Sequence, residues 1–265
     1  ILKIFLSITI SFFLSFFLSV YVLFRYKKNT DKDNEYDKNF SVIRTKSTDE
    51  KIKTLQNQFN IKFFVDDLIY KNTNYNSLYS ASFFSRLRAI VKIPLITMLD
   101  IYFIYKDSRQ LFEKYFFGHL LYHYAVRLAF KSIYEYYLET LMKSKNKTYY
   151  TGNKEDRYAI CEKKISKRYL IKTVCFPHGL EYSFKEPAGL VGDTFYCITD
   201  QSQKVLSSIY TDNNFIYDIN IVKKMFIKES DNNFIENEVV FFTETRTSND
   251  ILINQNIIIQ TLIEV

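Results

Sequence analysis

The alternation of hydrophobic and polar positions divides the chain into stretches of different period. Residues 4–24, IFLSITISFFLSFFLSVYVLF, carry no charge, and about 20 consecutive apolar residues let a helix cross the hydrocarbon of a bilayer. The serines and threonine in this run can donate back to the helix's own carbonyls. The run is too long for the core of a signal peptide and no small-residue cleavage site follows it, so it predicts a retained membrane helix. Arg25, Lys27 and Lys28 follow it directly, against a single Lys3 in front. By the positive-inside rule this predicts a single-pass protein of the inner (cytoplasmic) membrane, with its body on the cytoplasmic side.

Beyond the apolar run, residues 26–58 are highly charged and KKNTDKDNEYDKN shows no apolar period, which reads as a solvated linker or a loosely held helix. IKFFV then reads as a strand ending in Asp66 and Asp67. Over residues 80–145 the period becomes helical, with charges three to four apart and Pro94 as the breaker, predicting two or three helices. Lys92 and Asp100 interrupt the apolar runs there, so none of them reads as a second span.

After Asn146 short β-prone runs alternate with helical ones. KTYYTG, YLIKTVCF and TFYCIT read as strands, and NNFIYDINIVKK as a further strand or short helix. NKEDRYAICEKKISKR reads as a helix capped by Asn153, with acids in its first turn and bases in its last, and DQSQKVLSSIY as a helix opened by Asp200. EVVFFTE and DILINQNIIIQTLIEV look like the first strand and helix of another unit. Such alternation predicts parallel pairing and a three-layer α/β fold, with ligands at the loops that follow strands. The predicted organisation is an anchor over 1–28, a charged linker over 29–58, an α/β domain with a helical insertion over 59–235, and the start of a second α/β domain over 236–265. The chain opens on Ile and stops at Val265 without a cap, a glycine or a polar tail, as a fragment truncated at both ends would.

Composition adds three constraints. A hydrophobic content of 47% is ample for a core, which excludes a disordered chain. The net charge of +7 is spread among acidic residues and forms no basic stripe, which argues against nucleic acid and for an anionic membrane or phosphorylated substrates. Cys161, Cys175 and Cys197 have no CxxC spacing and are odd in number, as expected of reduced thiols in a reducing compartment.

Candidate chemistry gathers in KTVCFPHGLEYSFKEPAGLVGDTFYCIT, which holds three of the five glycines and two of the three prolines. A strand that delivers Pro177, His178 and Gly179 into a loop places an imidazole at the carboxyl edge of a parallel sheet. There it can donate to a phosphate or sugar hydroxyl, or act as acid or base near neutral pH. Glu181, Lys185, Glu186 and Asp193 share this loop, and Lys154, Glu155, Asp156 and Arg157 stand at a predicted helix N-terminus after the preceding strand. Elsewhere, His119 and His123 are four apart on a predicted helix, without a third ligand at helical spacing, and read as packing or interface residues. Asp66 and Asp67 read either as a catalytic carboxylate at a strand end, where an α/β enzyme can place an acceptor base, or as helix-opening acids.

The order strand, TGNKEDR, helix, strand, FPHG, glycine-punctuated loop, GDTFYCITDQSQKVL and then VVFFTETRT resembles the GT-B glycosyltransferases of bacterial capsule and lipopolysaccharide synthesis. In those enzymes the first Rossmann-like domain closes with a strand carrying a His-Gly pair, often preceded by Gln. His178 and Gly179 match the pair, and Pro177 stands in place of the Gln. The resemblance covers residues 148–265. It implies transfer of a sugar from a nucleotide-activated donor to a surface-glycan or lipid-linked acceptor, with no bound metal or other cofactor beyond the nucleotide-sugar co-substrate. It implies His178 as the leading catalytic or phosphate-contacting residue, and Glu181 and Asp156 as candidate bases. Gly179, Lys154 and Arg157 would bind substrate, and Glu244 and Arg246 would face the interdomain cleft. A non-catalytic membrane-tethered binding or assembly module, or a polyol-phosphate transferase or sugar-nucleotide epimerase on the same fold, are the alternatives.

Overall fold

The computed structural model describes residues 2–26, 39–108, 114–143, 148–152, 157–176 and 192–226. Within them lie the strands β1 (Asn39–Ile43), β2 (Ile61–Val65), β3 (Asn76–Ser77), β4 (Thr148–Thr151), β5 (Lys172–Cys175), β6 (Thr194–Cys197) and β7 (Asn214–Tyr217). The helices are α1 (Leu2–Arg25), α2 (Lys46–Lys53), α3 (Gln56–Phe59), α4 (Phe83–Ser108), α5 (Lys114–Met142), α6 (Arg157–Arg168), α7 (Asp200–Ile209) and α8 (Ile219–Phe226). The strands form one seven-stranded sheet in the order β3-β2-β1-β4-β5-β6-β7, and every neighbouring pair is parallel. The predicted α/β class and parallel pairing are therefore the observed ones.

Parallel strands must be joined by crossovers, so helices cover both faces and the strands are apolar on both sides. β1 illustrates this. Phe40 and Val42 enter a core with Tyr149, Tyr134, Tyr137 and Ile165 on the face covered by α5 and α6. Ile43 enters the opposite core with Ile52, Phe63, Tyr150, Ile221 and Met225, under α2 and α8. A third cluster, Cys175, Phe195, Cys197, Leu206 and Phe215, seats α7.

This central strand lies inside the stretch 29–58 that the charge pattern reads as a linker. NFSVI is too short to outweigh its charged flanks in any sequence window, and its two-faced burial exists only once β2 and β4 pair on either side. The linker reading also covered α2 and most of α3. Pro94, expected to break the helical region, is buried inside α4, which continues through it.

α1 does not stand apart from the body. It packs along both α4 and α5, which pack on each other as the hairpin that carries the chain from β3 to β4. At the sheet end, Arg86 of α4 donates to the Leu23 carbonyl at 2.9 Å, and the Tyr26 and Tyr79 rings meet tilted, with centroids 5.6 Å apart. Farther along, Ser11 Oγ donates to the Ala125 carbonyl of α5 at 3.0 Å, and Ile8 and Leu128 pack against Ile101. Among the described residues α1 is the helix long and apolar enough to cross a membrane, with a mean hydropathy of 2.1.

Phe40 is 1% exposed at the centre of the sheet, whereas the neighbouring Phe64 is only partly buried. Phe40→Ala is expected to cost about 3–5 kcal/mol, and Phe64→Ala distinctly less, measured by chemical denaturation of the two variants side by side.

Candidate functional site

The strand order reverses between β1 and β4: the chain steps outward from β1 to β2 and β3, then returns through α4 and α5 to β4 on the other side. In open α/β sheets, ligands bind beyond the carboxyl ends of the strands at such a reversal. β1 ends there at Ile43, and α2 begins at once, capped by Thr45, whose side chain accepts from the Thr48 N–H at 3.2 Å. β4 ends at Thr151 and Gly152. A Cβ on Gly152 would stand 3.1 Å from Thr48 Cγ2, so the exit of β4 runs close against the first turn of α2. β5 ends beside β4, with Cys175 opposite Thr151 and the Phe176 N–H donating to the Thr151 carbonyl at 2.9 Å.

Directly beyond β1 the crevice holds a buried charge cluster. Arg44 lies over the Tyr158 ring, 3.1 Å from its centroid, and 4.7 Å from that of Tyr134. Its Nε donates to Asp66 Oδ2 at 3.0 Å, and Tyr79 Oη donates to Asp66 Oδ1 at 2.5 Å. Tyr134 and Thr151 each donate to Glu162 at 2.7 Å. The cluster therefore links the ends of β1, β2 and β4 to α5 and α6.

Burial pushes the Asp66 carboxyl up from its ordinary value, against the pull of Arg44 and Tyr79. Burial works against the Arg44 charge as well, but Tyr134, Asp66 and Tyr158 outweigh it and hold the guanidinium protonated. Tyr79 keeps its proton well above the usual phenol range, through burial first and the Asp66 charge second. Asp66 stands at the end of β2, 1% exposed and committed to the ion pair with Arg44.

A second carboxylate, Asp49 on α2, accepts from Tyr70 at 2.8 Å, Asn72 at 2.7 Å and Tyr75 at 2.6 Å. It ties the connection between β2 and β3 onto α2. Cys161, Cys175 and Cys197 are buried and form no disulfide, and burial pushes the Cys161 thiol up to about 12. Among the described residues no group of three His, Cys, Asp or Glu side chains converges as a metal site would require.

Of the residues predicted from sequence, Arg157 is the first residue of α6, and its side chain lies outside the described residues. Lys154 and Asp156 fall in 153–156, between β4 and α6, and His178, Gly179 and Glu181 fall in 177–191, between β5 and β6. Both stretches lie outside the described residues, as do Glu244 and Arg246. His119 and His123 belong to α5, with side chains likewise outside. Both connections, 153–156 and 177–191, follow the adjacent carboxyl ends of β4 and β5.

Arg44, Asp49 and Glu162 went unread in the sequence. The two former lie in the stretch taken for a linker, although TKSTDE has the Ser/Thr and acidic spacing of a helix start. Glu162 carries no local signal, because its role depends on Tyr134 and Thr151 reaching it from other elements.

A cavity of about 630 Å3 opens at the opposite edge, where the chain enters β5, β6 and β7, lined by Lys163, Lys167, Lys172, Asp193, Asp212 and Tyr210 among others. It faces the C-terminal ends of α6 and α7, whose carbonyl dipoles favour cations such as Lys167 and disfavour anionic ligands. The carboxyl edge is therefore the better candidate despite the cavity. No protein family, curated protein or solved structure matches the chain.

Removing Arg44 would leave Asp66 buried beside no cation. Arg44→Ala is expected to destabilise the fold by about 3–5 kcal/mol. Arg44→Lys should rescue little of this, since an ammonium cannot both lie flat on Tyr158 and present Nε to Asp66. Thermal or denaturant unfolding of both variants checks this.

Proposed function

We propose that the protein is a membrane-attached glycosyltransferase of GT-B type, with its body on the cytoplasmic side. It transfers a sugar from a nucleotide-activated donor to a surface-glycan or lipid-linked acceptor. The observation that carries this reading is the parallel sheet whose order reverses between β1 and β4, with the connections that hold TGNKEDR and FPHG following the adjacent carboxyl ends of β4 and β5.

In the proposed reaction an acceptor hydroxyl displaces a nucleoside phosphate from the anomeric carbon of the donor. His178 contacts the phosphate or takes the acceptor proton, and Glu181 and Asp156 are the other candidates for the base. Lys154, Arg157 and the backbone at Gly179 neutralise the leaving phosphate. Glu244 and Arg246 are further candidates for binding the donor. α1 keeps the enzyme beside a lipid-linked acceptor.

A non-catalytic binding module is the second reading. It is favoured by the commitment of Asp49, Asp66 and Glu162, described carboxylates beside the reversal, to internal donors. His178→Ala separates the two. On the transferase reading it lowers sugar-nucleotide turnover by about 100- to 10,000-fold, the usual worth of a general acid or base, with an unchanged unfolding transition. Unchanged turnover in the folded variant would remove His178 from the chemistry, and absence of turnover in the unmodified protein would favour the binding module.

A further inference from the structure

α1 has its polarity inverted relative to a helix folded in water. Ser7, Ser11, Ser15 and Ser19, four residues apart, are all 0% exposed, while Phe5, Phe13, Phe17, Tyr21 and Phe24 are 42–79% exposed. In water, burying a serine stripe and exposing a phenylalanine stripe forfeits the hydrophobic driving force. In lipid the arrangement is favourable, since small hydroxyl residues let helices approach closely and large apolar ones meet acyl chains. α4 shares the exposed apolar stripe, though its buried side mixes small and large residues. It buries Ala89, Ile93, Thr97 and Ile101 and exposes Phe84, Leu87, Val91, Leu95, Met98 and Tyr102 along one stripe.

The two helices lie side by side over their length, from the Arg86 contact with Leu23 to the packing of Ile8 on Ile101, and each exposes an apolar stripe along it, with Arg88 and Lys92 also exposed on α4. α5 packs against both and, among its described residues, carries charge beside the exposed Tyr124 and Val126. Arg127 on it is exposed, and Lys131 holds Asp100 and Glu135 at 2.6 Å each. Glu135 and Glu139 in turn face Lys164 and Arg168 of α6, at 3.6 and 3.0 Å.

If α1 stood upright across the bilayer, α5 would stand with it. Ser11, well inside the apolar run, touches Ala125, so Arg127 would enter the hydrocarbon at that depth, where an exposed charge is costly. Lying in the membrane plane avoids this. The α1–α4 surface then meets acyl chains while α5 and its charges stay on the aqueous side. Arg25, Arg88 and Lys92, all exposed, lie at the sheet end of the pair, where their stems can reach anionic headgroups.

We propose that α1, α4 and α5 form one monotopic membrane unit, immersed through the shared α1–α4 surface in a single leaflet and covered by α5. The inference rests on the membrane attachment proposed above and replaces a spanning α1 with an in-plane one.

The test uses the full chain with one added cysteine at a time, Leu6→Cys, Phe13→Cys, Tyr21→Cys, Leu95→Cys, Tyr102→Cys or Arg127→Cys, the native cysteines being buried. Each is labelled with an environment-sensitive fluorophore and mixed with vesicles of phosphatidylethanolamine and phosphatidylglycerol. The five sites on α1 and α4 should shift to the blue and lose the same fraction of emission to lipids brominated at one shallow chain position. The Arg127 site should stay open to aqueous iodide. A depth gradient along α1, with Phe13 deepest, or an Arg127 site shielded from iodide, would overturn the in-plane unit and leave membrane attachment standing. Failure to bind vesicles would overturn both, and a concentration-dependent dimer in that case would assign the apolar surface to a second copy of the chain.

Discussion

Parallel pairing is the constraint from which the rest of this structure follows. Strands that all run the same way cannot be joined by tight turns, so each connection must cross a face of the sheet, and every strand delivers its carboxyl end to one edge. Both faces are therefore covered by helices, and the connections that follow β1, β4 and β5 begin beside one another. The longest return, from β3 across to β4, is made by the α4–α5 hairpin, and this same hairpin receives α1. The element that closes the sheet's topology thus also ties the apolar N-terminal helix to the body.

The reversal point is held by charge as well as by packing. Arg44, at the end of β1, is fixed from one side by Asp66 and on its faces by two tyrosine rings, while Glu162 gathers hydroxyls from α5 and β4. Such a cluster is costly to bury and costlier to break, so it fixes how β1, β2 and β4 meet. Asp49 does the same for the connection between β2 and β3. These residues frame the carboxyl edge, and Lys154, Asp156, His178, Gly179 and Glu181, proposed to act on substrate, fall in the connections that leave it.

Much of the fold was legible because its signals are local. IKFFV, KTYYTG, YLIKTVCF and TFYCIT each contain a strand, and the residues between them alternate in the way that crossovers demand. The helix after TFYCIT begins where its polar cap falls, at Thr199 ahead of Asp200. β1 was hidden, since five residues among charges carry too little pattern, and only neighbours on both edges make Phe40 and Ile43 core residues. His178 and the residues around Asp156 were read from the sequence as candidate chemistry and lie outside the described residues, whereas the frame of the carboxyl edge was not legible there. Arg44, Asp66 and Glu162 lie far apart in the chain and acquire meaning only through one another.

The sequence by itself determined the class of fold, the existence of an apolar N-terminal helix and the stretch where polar chemistry concentrates, because period, charge and turn residues act over short distances. The tertiary structure alone decided which residue of each pair faces which core, that Asp66 answers Arg44, and that α1 buries its serines and displays its phenylalanines. The hydrophobic run of α1 reads the same whether it stands alone or lies against α4 and α5. Only packing reveals its inverted polarity, because the inside of a helix is defined by what touches it.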